Sequence, residues 1–473
     1  MTTQKCVAII GAGSSGLAAI KQCLEEGLIP VCFEQEGVTG GLWRYTEVTK
    51  ENPNPHSSIY KSTIINTSKE MMCFSDFPIP ATWPTYLPNQ LIAHYFDLYA
   101  ANFDLTRHIR LRRRVLRCSQ LGDKRWLVRN VSTQNPDAQP EDEVFDYLMV
   151  CSGHHTKPRW PKPAFEGTDV FQGGQRHSHF YRVILFGKTL DHVIVRWVTF
   201  FPYFLITILS ALTMVVIYGP LRGPLKPRHG FFSAHVTINS DLMGKIETGR
   251  IIVKPNIKRF LKGKGVEFED GSIEEGIDLV YYCTGYHIEF PFLEREILND
   301  GRDDVDLEYN EYENIAFIGL VQPLGAIMPI SEIQSRYALS LWLGRLGAPP
   351  TILDMNAAID RTRRHLQRTY VRSPRHTIQV FYHAYMDMLA DDLGCKPTLF
   401  RLGREFEWNW RLIWSVYNGP QTPCQYRLLG EQKWAGAKRA VEEYSGYKWE
   451  GKYGDEKNGF WFSRMPEINK KDQ

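Results

Sequence analysis

Three glycines near the N-terminus are spaced so that a phosphate group could approach the backbone. They belong to a run of small residues between an apolar segment and a helix-forming segment: Gly11, Ala12, Gly13, Ser14, Ser15 and Gly16. The first glycine permits a tight turn, the second lets a pyrophosphate come close, and the third lets helix and strand pack closely. The start of such a helix offers unpaired N–H groups and a positive dipole end. The spacing therefore predicts a dinucleotide-binding site.

An acidic residue and a second glycine segment narrow the choice of dinucleotide. Glu34 lies 23 residues after Gly11, where it can accept hydrogen bonds from an adenosine ribose and repel a 2′-phosphate, which favours FAD or NAD over NADP. Paired glycines at Gly40 and Gly41 permit another close approach of the backbone. Leu42 and Trp43 follow them, and the indole can form one wall of a ring-binding site. An NAD dehydrogenase does not need this second element, so the pattern favours FAD; a glycine turn without a ligand is the alternative.

The elements that must position these residues alternate between strands and helices. The apolar runs 5–10 and 30–33 predict buried parallel strands on either side of a helix at 17–26. Residues 57–88 lack periodicity and are predicted to form a long ordered loop. A helix is expected at 91–103, strands at 112–119, 125–131, 143–150, 251–283 and 315–319, and helices from 331 to about 394. The arginines 112–114 are interpreted as a solvated strand end. This order predicts an α/β fold.

Composition excludes several classes of protein. The 473 residues have a net charge of +3, which argues against a nucleic-acid-binding surface. A chain of this length is expected to form two or three domains. Nine cysteines, none in a C-x-x-C pair, predict buried free thiols in a reducing compartment, with neither a disulfide framework nor a metal site.

An uncharged segment of 22 residues, 197–218, is long enough to span a bilayer. Trp197 and Tyr218 stand at its ends, as interfacial anchors would. Three interpretations remain open: a membrane span, a helix that lies on the membrane surface, and a buried helical hairpin.

Several segments together resemble the flavin-containing monooxygenases. The matching segments are 11–16, 40–43, 58–62, 66–72, 171–181, 283–286 and 322–329. The most specific of them fits the fingerprint F-x-G-x-x-x-H-x-x-x-[FY] with Phe171, Gly173, His177 and Tyr181. The similarity extends from about residue 5 to residue 440, so it does not depend on one motif.

The resemblance implies a cofactor set and a mechanism. NADPH reduces FAD, the reduced flavin takes up O₂ as a C4a-hydroperoxide, and a soft nucleophile such as an amine or a sulfide of a small molecule attacks the distal oxygen. It also implies that Asn66 is the active-site asparagine beside the flavin, with Thr67 next to it at the cofactor. The fingerprint residues are interpreted as a structural link between two nucleotide domains; His177 as a proton donor is the sharper alternative. We further expect attachment to the cytosolic face of the endoplasmic reticulum membrane and possible homo-oligomers.

The chain departs from the family pattern after its fingerprint. A second G-x-G-x-x-G, which would bind NADPH, is absent, and only fourteen residues separate Tyr181 from Arg196. A βαβ unit needs about 30 residues, so the start of the NADPH domain is predicted to be missing. Its strands should then expose an apolar face, and NADPH binding is in doubt. The hydrophobic C-terminal tail of many relatives is likewise expected to be missing.

The resulting fold class is a flavoprotein with two dinucleotide-binding domains, a Rossmann-like FAD domain and a smaller, incomplete NADPH-type domain with an apolar helical insertion. The expected divisions are FAD domain 1–153, NADPH-type domain 154–314 with its insertion at about 190–235, FAD-domain return and helices 315–440, and a polar tail 441–473. Two further functions remain open: a catalytically silent FAD-binding regulator or hetero-oligomer partner of active relatives, and an FAD oxidase or reductase that uses another electron donor.

Overall fold

The computed structural model describes most of the chain. The described residues are 4–47, 49–50, 56, 59–135, 137–180, 196, 205, 208–209, 211–212, 229–230, 233–234, 242–294, 297, 313–348, 350–371 and 377–445. The predicted apolar insertion and the polar tail lie almost entirely outside these residues. Among the described residues, no helix combines the length and the apolar character needed to cross a bilayer.

Strands and helices alternate along the described chain. The strands are β1 Cys6–Ile10, β2 Ile29–Phe33, β3 Ile109–Arg110, β4 Arg113–Gln120, β5 Trp126–Ser132, β6 Glu141–Phe145, β7 Tyr147–Val150, β8 Lys157–Pro158, β9 Gly174–His177, β10 Ile257–Phe260, β11 Val266–Phe268, β12 Ile273–Glu274, β13 Leu279–Tyr282, β14 Tyr286–His287, β15 Ile315–Phe317, β16 Gln322–Leu324 and β17 Gln379–Phe381. The helices are α1 Ser14–Glu25, α2 Lys69–Met72, α3 Asn89–Asn102, α4 Leu242–Glu247, α5 Ile327–Trp342, α6 Ile352–Thr369, α7 Tyr382–Asp392, α8 Leu399–Glu405, α9 Trp410–Asn418 and α10 Ala437–Tyr444.

A five-stranded parallel sheet in the order β15-β7-β1-β2-β3 forms the centre of the half that is predicted to bind FAD. Alternate residues of β1 enter two separate cores: Val7 and Ile9 pack in the core that contains α1, whereas Ala8 and Ile10 pack in the core that contains Trp126. Both faces of the strand are therefore buried, which explains its uninterrupted apolar sequence. The predicted strand–helix–strand unit is confirmed.

The segment 143–150, predicted as one strand, forms two strands in different sheets. β6 ends the antiparallel sheet β4-β5-β6, and β7 joins the parallel sheet. The break falls at Asp146, whose carboxylate accepts a hydrogen bond from the N–H of Cys6 at 2.7 Å. That bond fixes the junction between β6 and β7 to the first residue of β1. It joins residues 140 positions apart, and hydrophobic periodicity does not reveal a contact of this kind.

The second half has a smaller sheet. β9 pairs in parallel with β13, and β10, β11 and β12 form a separate antiparallel sheet. On β13, Leu279 and Tyr281 are exposed, and Cys283 just after the strand is exposed as well. Strands were predicted in this region and are found there, while the expectation of an uncovered apolar face stays a prediction.

Helices dominate after β15, as predicted, with two differences. α5 begins at Ile327, four residues before the expected start at 331, since the short loop after β16 leads directly into the helix. β17 interrupts the expected helical region and pairs in parallel with β16. A three-residue strand carries too little periodicity to be detected in a sequence, and its pairing is between residues more than fifty positions apart.

Candidate active site

A pocket of about 600 Å³ lies where the parallel strands β1, β2 and β7 end. Ligands of open α/β sheets bind at this edge, outside the carboxyl ends of the strands. Ten of the predicted site residues line the pocket: Gly11, Gly13, Ser14, Ser15, Glu34, Gly41, Leu42, Trp43, Asn66 and Thr67. The other two predicted residues, Ala12 and Gly16, do not line the pocket. The structure therefore brings together the glycine motif and the Asn66 segment, which are more than fifty residues apart.

The glycines of the motif have two different roles: one permits close packing of the backbone, and another leaves space for a ligand. A Cβ on Gly16 would lie 1.9 Å from the carbonyl oxygen of Gly11, so only glycine permits this approach of α1 to the turn. A Cβ on Gly13 would meet nothing closer than the Cα of Gly41, at 3.7 Å. The protein itself therefore does not demand glycine at position 13. Gly13 and Gly41 face each other without side chains and leave an open surface, here called the glycine floor, over which a ligand can pass.

Glu34 is tied into the turn by both carboxylate oxygens. Oε2 accepts a hydrogen bond from the N–H of Ala12, and Oε1 accepts one from the N–H of Glu36, each at 2.8 Å. Burial raises the pKa of this carboxyl above its usual value, and the two N–H donors act in the opposite direction. Glu34 thus links the ends of β1 and β2, and each oxygen retains a lone pair for a ribose hydroxyl.

Two helices begin at the pocket without a side-chain cap. α1 has Gly13 at its N-cap position and α5 has Ala326, and neither makes a side-chain hydrogen bond to the first turn. Both residues line the pocket. Helix N-termini with unpaired N–H groups favour negative charge. The pocket thus has an electropositive point at the start of each of two helices, which fits an elongated ligand that carries negative charge, such as FAD.

The segment that contains Asn66 is held from behind. Ile65 donates its N–H to Leu87 and Lys69 donates its N–H to Thr85, at 2.9 and 2.8 Å. The buried Nζ of Lys69 donates to three carbonyl oxygens between 2.6 and 3.1 Å away, those of Pro80, Ala81 and Trp83. Burial lowers the pKa of this ammonium. Asn66 is exposed to the pocket between buried neighbours, so its amide is free to meet a ligand from a fixed backbone.

Sequence reasoning missed several polar residues of the pocket. His154 and His155, in the loop that follows β7, line it. Gln322 and two of the arginines interpreted as a solvated strand end, Arg113 and Arg114, line it as well. Burial, with a smaller effect of His155, lowers the pKa of His154 to about 3, so its ring is neutral near pH 7. The available signal was position: polar residues that follow the end of a parallel strand face the ligand edge.

The fingerprint lies away from the pocket. His177 is fully buried at the end of β9, and its Nδ1 accepts the N–H of His179 at 3.1 Å. Its ring packs near Trp160 and Tyr286. A Cβ on Gly173 would lie 2.5 Å from the Phe171 ring, so this glycine is required by packing. Tyr181 lies outside the described residues. The contacts of His177 favour the structural interpretation over a proton donor.

Comparisons with known proteins agree with this geometry. The family described as flavin-binding monooxygenase-like matches residues 4–194 and 211–446. Flavin-containing monooxygenase 5 of Mus musculus is 38% identical over 500 aligned positions, which cover 93% of this chain and 91% of the mouse protein. Flavin-containing monooxygenase 3 of Homo sapiens is 33% identical, with 92% and 91% covered. The mouse alignment is longer than the 473 residues of this chain, so the relative contains residues that this chain lacks.

Solved structures share the fold. S-allyl-L-cysteine S-oxygenase from Allium sativum has a TM-score of 0.62 at 22% identity, covering 94% of this chain and 99% of that chain. A steroid monooxygenase bound to NADP has a TM-score of 0.54 at 15% identity, covering 82% and 97%. These likenesses confirm the α/β fold class with two dinucleotide-binding domains. The family match and the relatives show more than the fold: their class is that of oxidoreductases that use FAD and NADPH, and the chain belongs to the flavin-containing monooxygenases.

Proposed function

We propose that this chain transfers one oxygen atom from O₂ to a soft nucleophilic nitrogen or sulfur of a small amine or sulfide. The observation that supports this proposal is the Asn66 amide, which lines the same pocket as Gly13 and Gly41 and belongs to a segment that Lys69 fixes from behind. FAD, when bound, would supply electron transfer from NADPH and the activation of O₂. We further propose that the domain divisions expected from the sequence, at 153/154 and 314/315, apply to this chain.

Each residue of the pocket has a role in this proposal. The N–H groups at the start of α1 would hold the pyrophosphate of FAD, and the oxygens of Glu34 would hold its adenosine ribose. The start of α5 would favour negative charge on the bound cofactor. Asn66 would donate to and accept from groups beside it in the pocket, since an amide supplies both functions. The neutral His154 adds a hydrogen-bonding group without bringing a cation into the pocket.

The test replaces Asn66 by Ala. FAD should remain bound because the glycine floor is unchanged, while N-oxide formed from dimethylaniline per NADPH consumed should fall by at least about tenfold, as for a lost active-site donor. Asn256→Ala, at an exposed asparagine far along the chain, is the matched control and should behave as the unaltered protein. Full product yield in the Asn66 variant would rule out the assigned role.

A second candidate function rests on a specific observation, the missing second G-x-G-x-x-G. Without a phosphate anchor for NADPH, the nicotinamide would leave the flavin early, so that reduction would be slow and the activated oxygen would be lost as hydrogen peroxide. The chain would then act as an FAD-binding regulator or partner of active relatives. Stopped-flow reduction at saturating NADPH, beside the mouse relative, separates the two: reduction more than about tenfold slower, with little product, supports the second function.

We also propose that the protein binds the cytosolic face of the endoplasmic reticulum membrane, with the uncharged segment 197–218 as one contact. Serine or lysine at several of its apolar positions should release folded protein into the soluble fraction. Unaltered, folded protein found in the supernatant without detergent would contradict this.

A further inference from the structure

We propose that Arg427 is a positioning residue for the candidate active site, an inference that rests on the FAD binding and the role of Asn66 proposed above. Three elements contribute residues to the lining of the pocket: α1 with Ser15, α2 with Met72, and α5 with Ile327. Arg427 does not line the pocket. It contacts α1, the loop after α2, and α5, at residues that do not line the pocket either.

The guanidinium of Arg427 joins these three elements to one another. Its Nε donates to the hydroxyl of Ser75 in the loop after α2, and its Nη2 donates to Oε1 of Glu332 on α5, each at 2.7 Å. Nη2 also lies 3.2 Å from Oδ2 of Asp76 and 3.7 Å from Oε2 of Glu25 on α1. Arg427 is only 2% exposed, so these protein groups take the place of water around the cation.

The groups around Arg427 are also bonded to one another. Lys21 of α1 pairs with Asp76, and Glu332 accepts the N–H of Ser75 with Oε2 at 2.7 Å. Except for the partly exposed Glu25, the charged side chains of this group are at most 7% exposed. The group, here called the charge cluster, consists of three cations and three anions: Lys21, Arg336, Arg427, Glu25, Asp76 and Glu332. Its charges therefore balance.

A buried charge cluster fixes geometry more than it adds stability. Moving charges out of water costs free energy, and well-packed apolar side chains in their place are often as stable. A fully bonded network, however, specifies one arrangement of the segments that carry it. Burial alone would raise the pKa of Asp76, yet Arg427 and Lys21 hold it below its usual value, so the carboxylate is charged near pH 7. The charge cluster thus sets how the glycine floor, the Asn66 segment and the start of α5 lie relative to one another.

The shape of the guanidinium makes arginine necessary at this position. Its planar fork presents N–H donors in fixed directions, whereas a lysine ammonium is a single point with rotatable donors. The third nitrogen of Arg427, Nη1, donates to the carbonyl oxygen of Gln432 at 3.1 Å. A cavity of about 390 Å³ adjoins the guanidinium and is also lined by the exposed Lys433. A small cation from solvent can therefore reach this position when the arginine side chain is removed.

The test replaces Arg427 by Ala in the full chain and asks whether free guanidinium restores the pocket. FAD affinity is titrated by flavin fluorescence on protein that circular dichroism shows to be folded. We expect the variant to bind FAD at least about tenfold more weakly than the unaltered protein. About 20 mM guanidinium chloride, far below denaturing concentrations, should recover most of that loss. Methylammonium chloride at the same concentration should not, because it lacks the planar fork, and Arg427→Lys should remain weakened for the same reason.

Amide hydrogen exchange locates the change along the chain. In Arg427→Ala the exchange rate should rise together in α1, in 65–75 and in α5, and should stay unchanged in β5. The matched control is Arg345→Ala, because Arg345 pairs with Glu26 and Glu431 beside the charge cluster. It should retain both the FAD affinity and the exchange rate of 65–75.

Two results would overturn the positioning role. Unchanged FAD affinity and exchange in folded Arg427→Ala would mean that the residue serves stability alone, even if the free energy of unfolding falls. A loss of affinity that guanidinium does not restore would indicate a general packing defect. If Arg427→Ala does not fold, Ser75→Ala decides, since it removes one acceptor of Arg427 and keeps every charge. It should raise exchange in 65–75 and weaken FAD binding about threefold, as for one lost hydrogen bond, and unaltered values would overturn the proposal.

These readouts separate the positioning role from the proposed function, because none of them measures product. If Asn66→Ala keeps its full product yield while Arg427→Ala loses FAD affinity and regains it with guanidinium, the assigned role of Asn66 is overturned and the positioning role stands. If the unaltered chain does not take up FAD, both are overturned.

Discussion

The two nucleotide-binding halves of this chain differ in how completely their parallel strands are covered. In the first half, β7 lies inside a five-stranded sheet with Leu148 fully buried. In the second half, β13 pairs with β9 within the described residues, and Leu279 remains 39% exposed. Both strands are apolar and both are followed by a glycine turn. The difference lies in the partner segments, since the first half retains its glycine motif and its helix, and the second lacks that motif.

The comparison teaches that the apolar sequence of a strand shows which side chains it can bury. Whether they are buried depends on whether the rest of the strand–helix unit is present. The first half has a covered sheet and a pocket at its edge. The second half contains no G-x-G-x-x-G motif of its own. A cofactor site should therefore depend on the first half far more than on the second.

The largest effect is expected from Gly13→Val, which would obstruct the pocket of the first half and lower its affinity for FAD. A branched side chain would fill the floor between Gly13 and Gly41 and block the pyrophosphate. We expect FAD affinity to fall by at least about 100-fold, or ~3 kcal/mol, measured by flavin content and by titration. The control is Gly122→Val, at a glycine with open space around it. Equal flavin content in both variants would mean that this pocket is not the flavin site.

The next largest effect is expected from a matched pair of leucine-to-alanine substitutions. The pair compares how deeply a strand of each half is buried. Leu148→Ala removes a fully buried side chain of β7 and should lower the free energy of unfolding by about 3 kcal/mol. Leu279→Ala on β13 should cost only about 1 kcal/mol, because 39% of that side chain already contacts solvent. Urea unfolding monitored by circular dichroism gives both values. Similar losses would show that β13 is covered in solution.

A smaller and pH-dependent effect should come from His383, a buried histidine at the start of α7 in the FAD half. Burial, with the positive charge of Arg196, lowers its pKa to about 3. Between its ordinary pKa of 6.5 and this value, the unfolded chain binds a proton that the folded chain does not, so stability falls as the pH drops below 6.5. The loss should reach about 2 kcal/mol at pH 5.

His383→Leu should remove this acid sensitivity. Urea midpoints at pH 7 and pH 5, at saturating FAD, provide the measurement, and the exposed His229→Leu is the control. An unchanged pH dependence in the His383 variant would mean that this ring is not held neutral in the folded protein.

Local sequence determined the first unit of the fold and most of its chemistry. The strand β1, the turn with Gly11, Gly13 and Gly16, helix α1 and the acid Glu34 were all predicted because each depends on neighbours a few residues away. Hydrophobic period, glycine conformation and helix-forming residues are local properties, and they identify an element wherever it ends up in space.

Only the tertiary structure decided which distant residues meet. Asn66, Gly13 and His154 share one pocket because the turns after β1 and β7 and the loop that contains Asn66 meet there. The split between β6 and β7 follows from a contact of Asp146 with Cys6. The outward direction of Trp410 and Trp414 follows from the burial of the other face of α9. In each case a sequence pattern specifies which side chains an element carries, while packing between remote elements decides which of those side chains reach a ligand, the core or the surface.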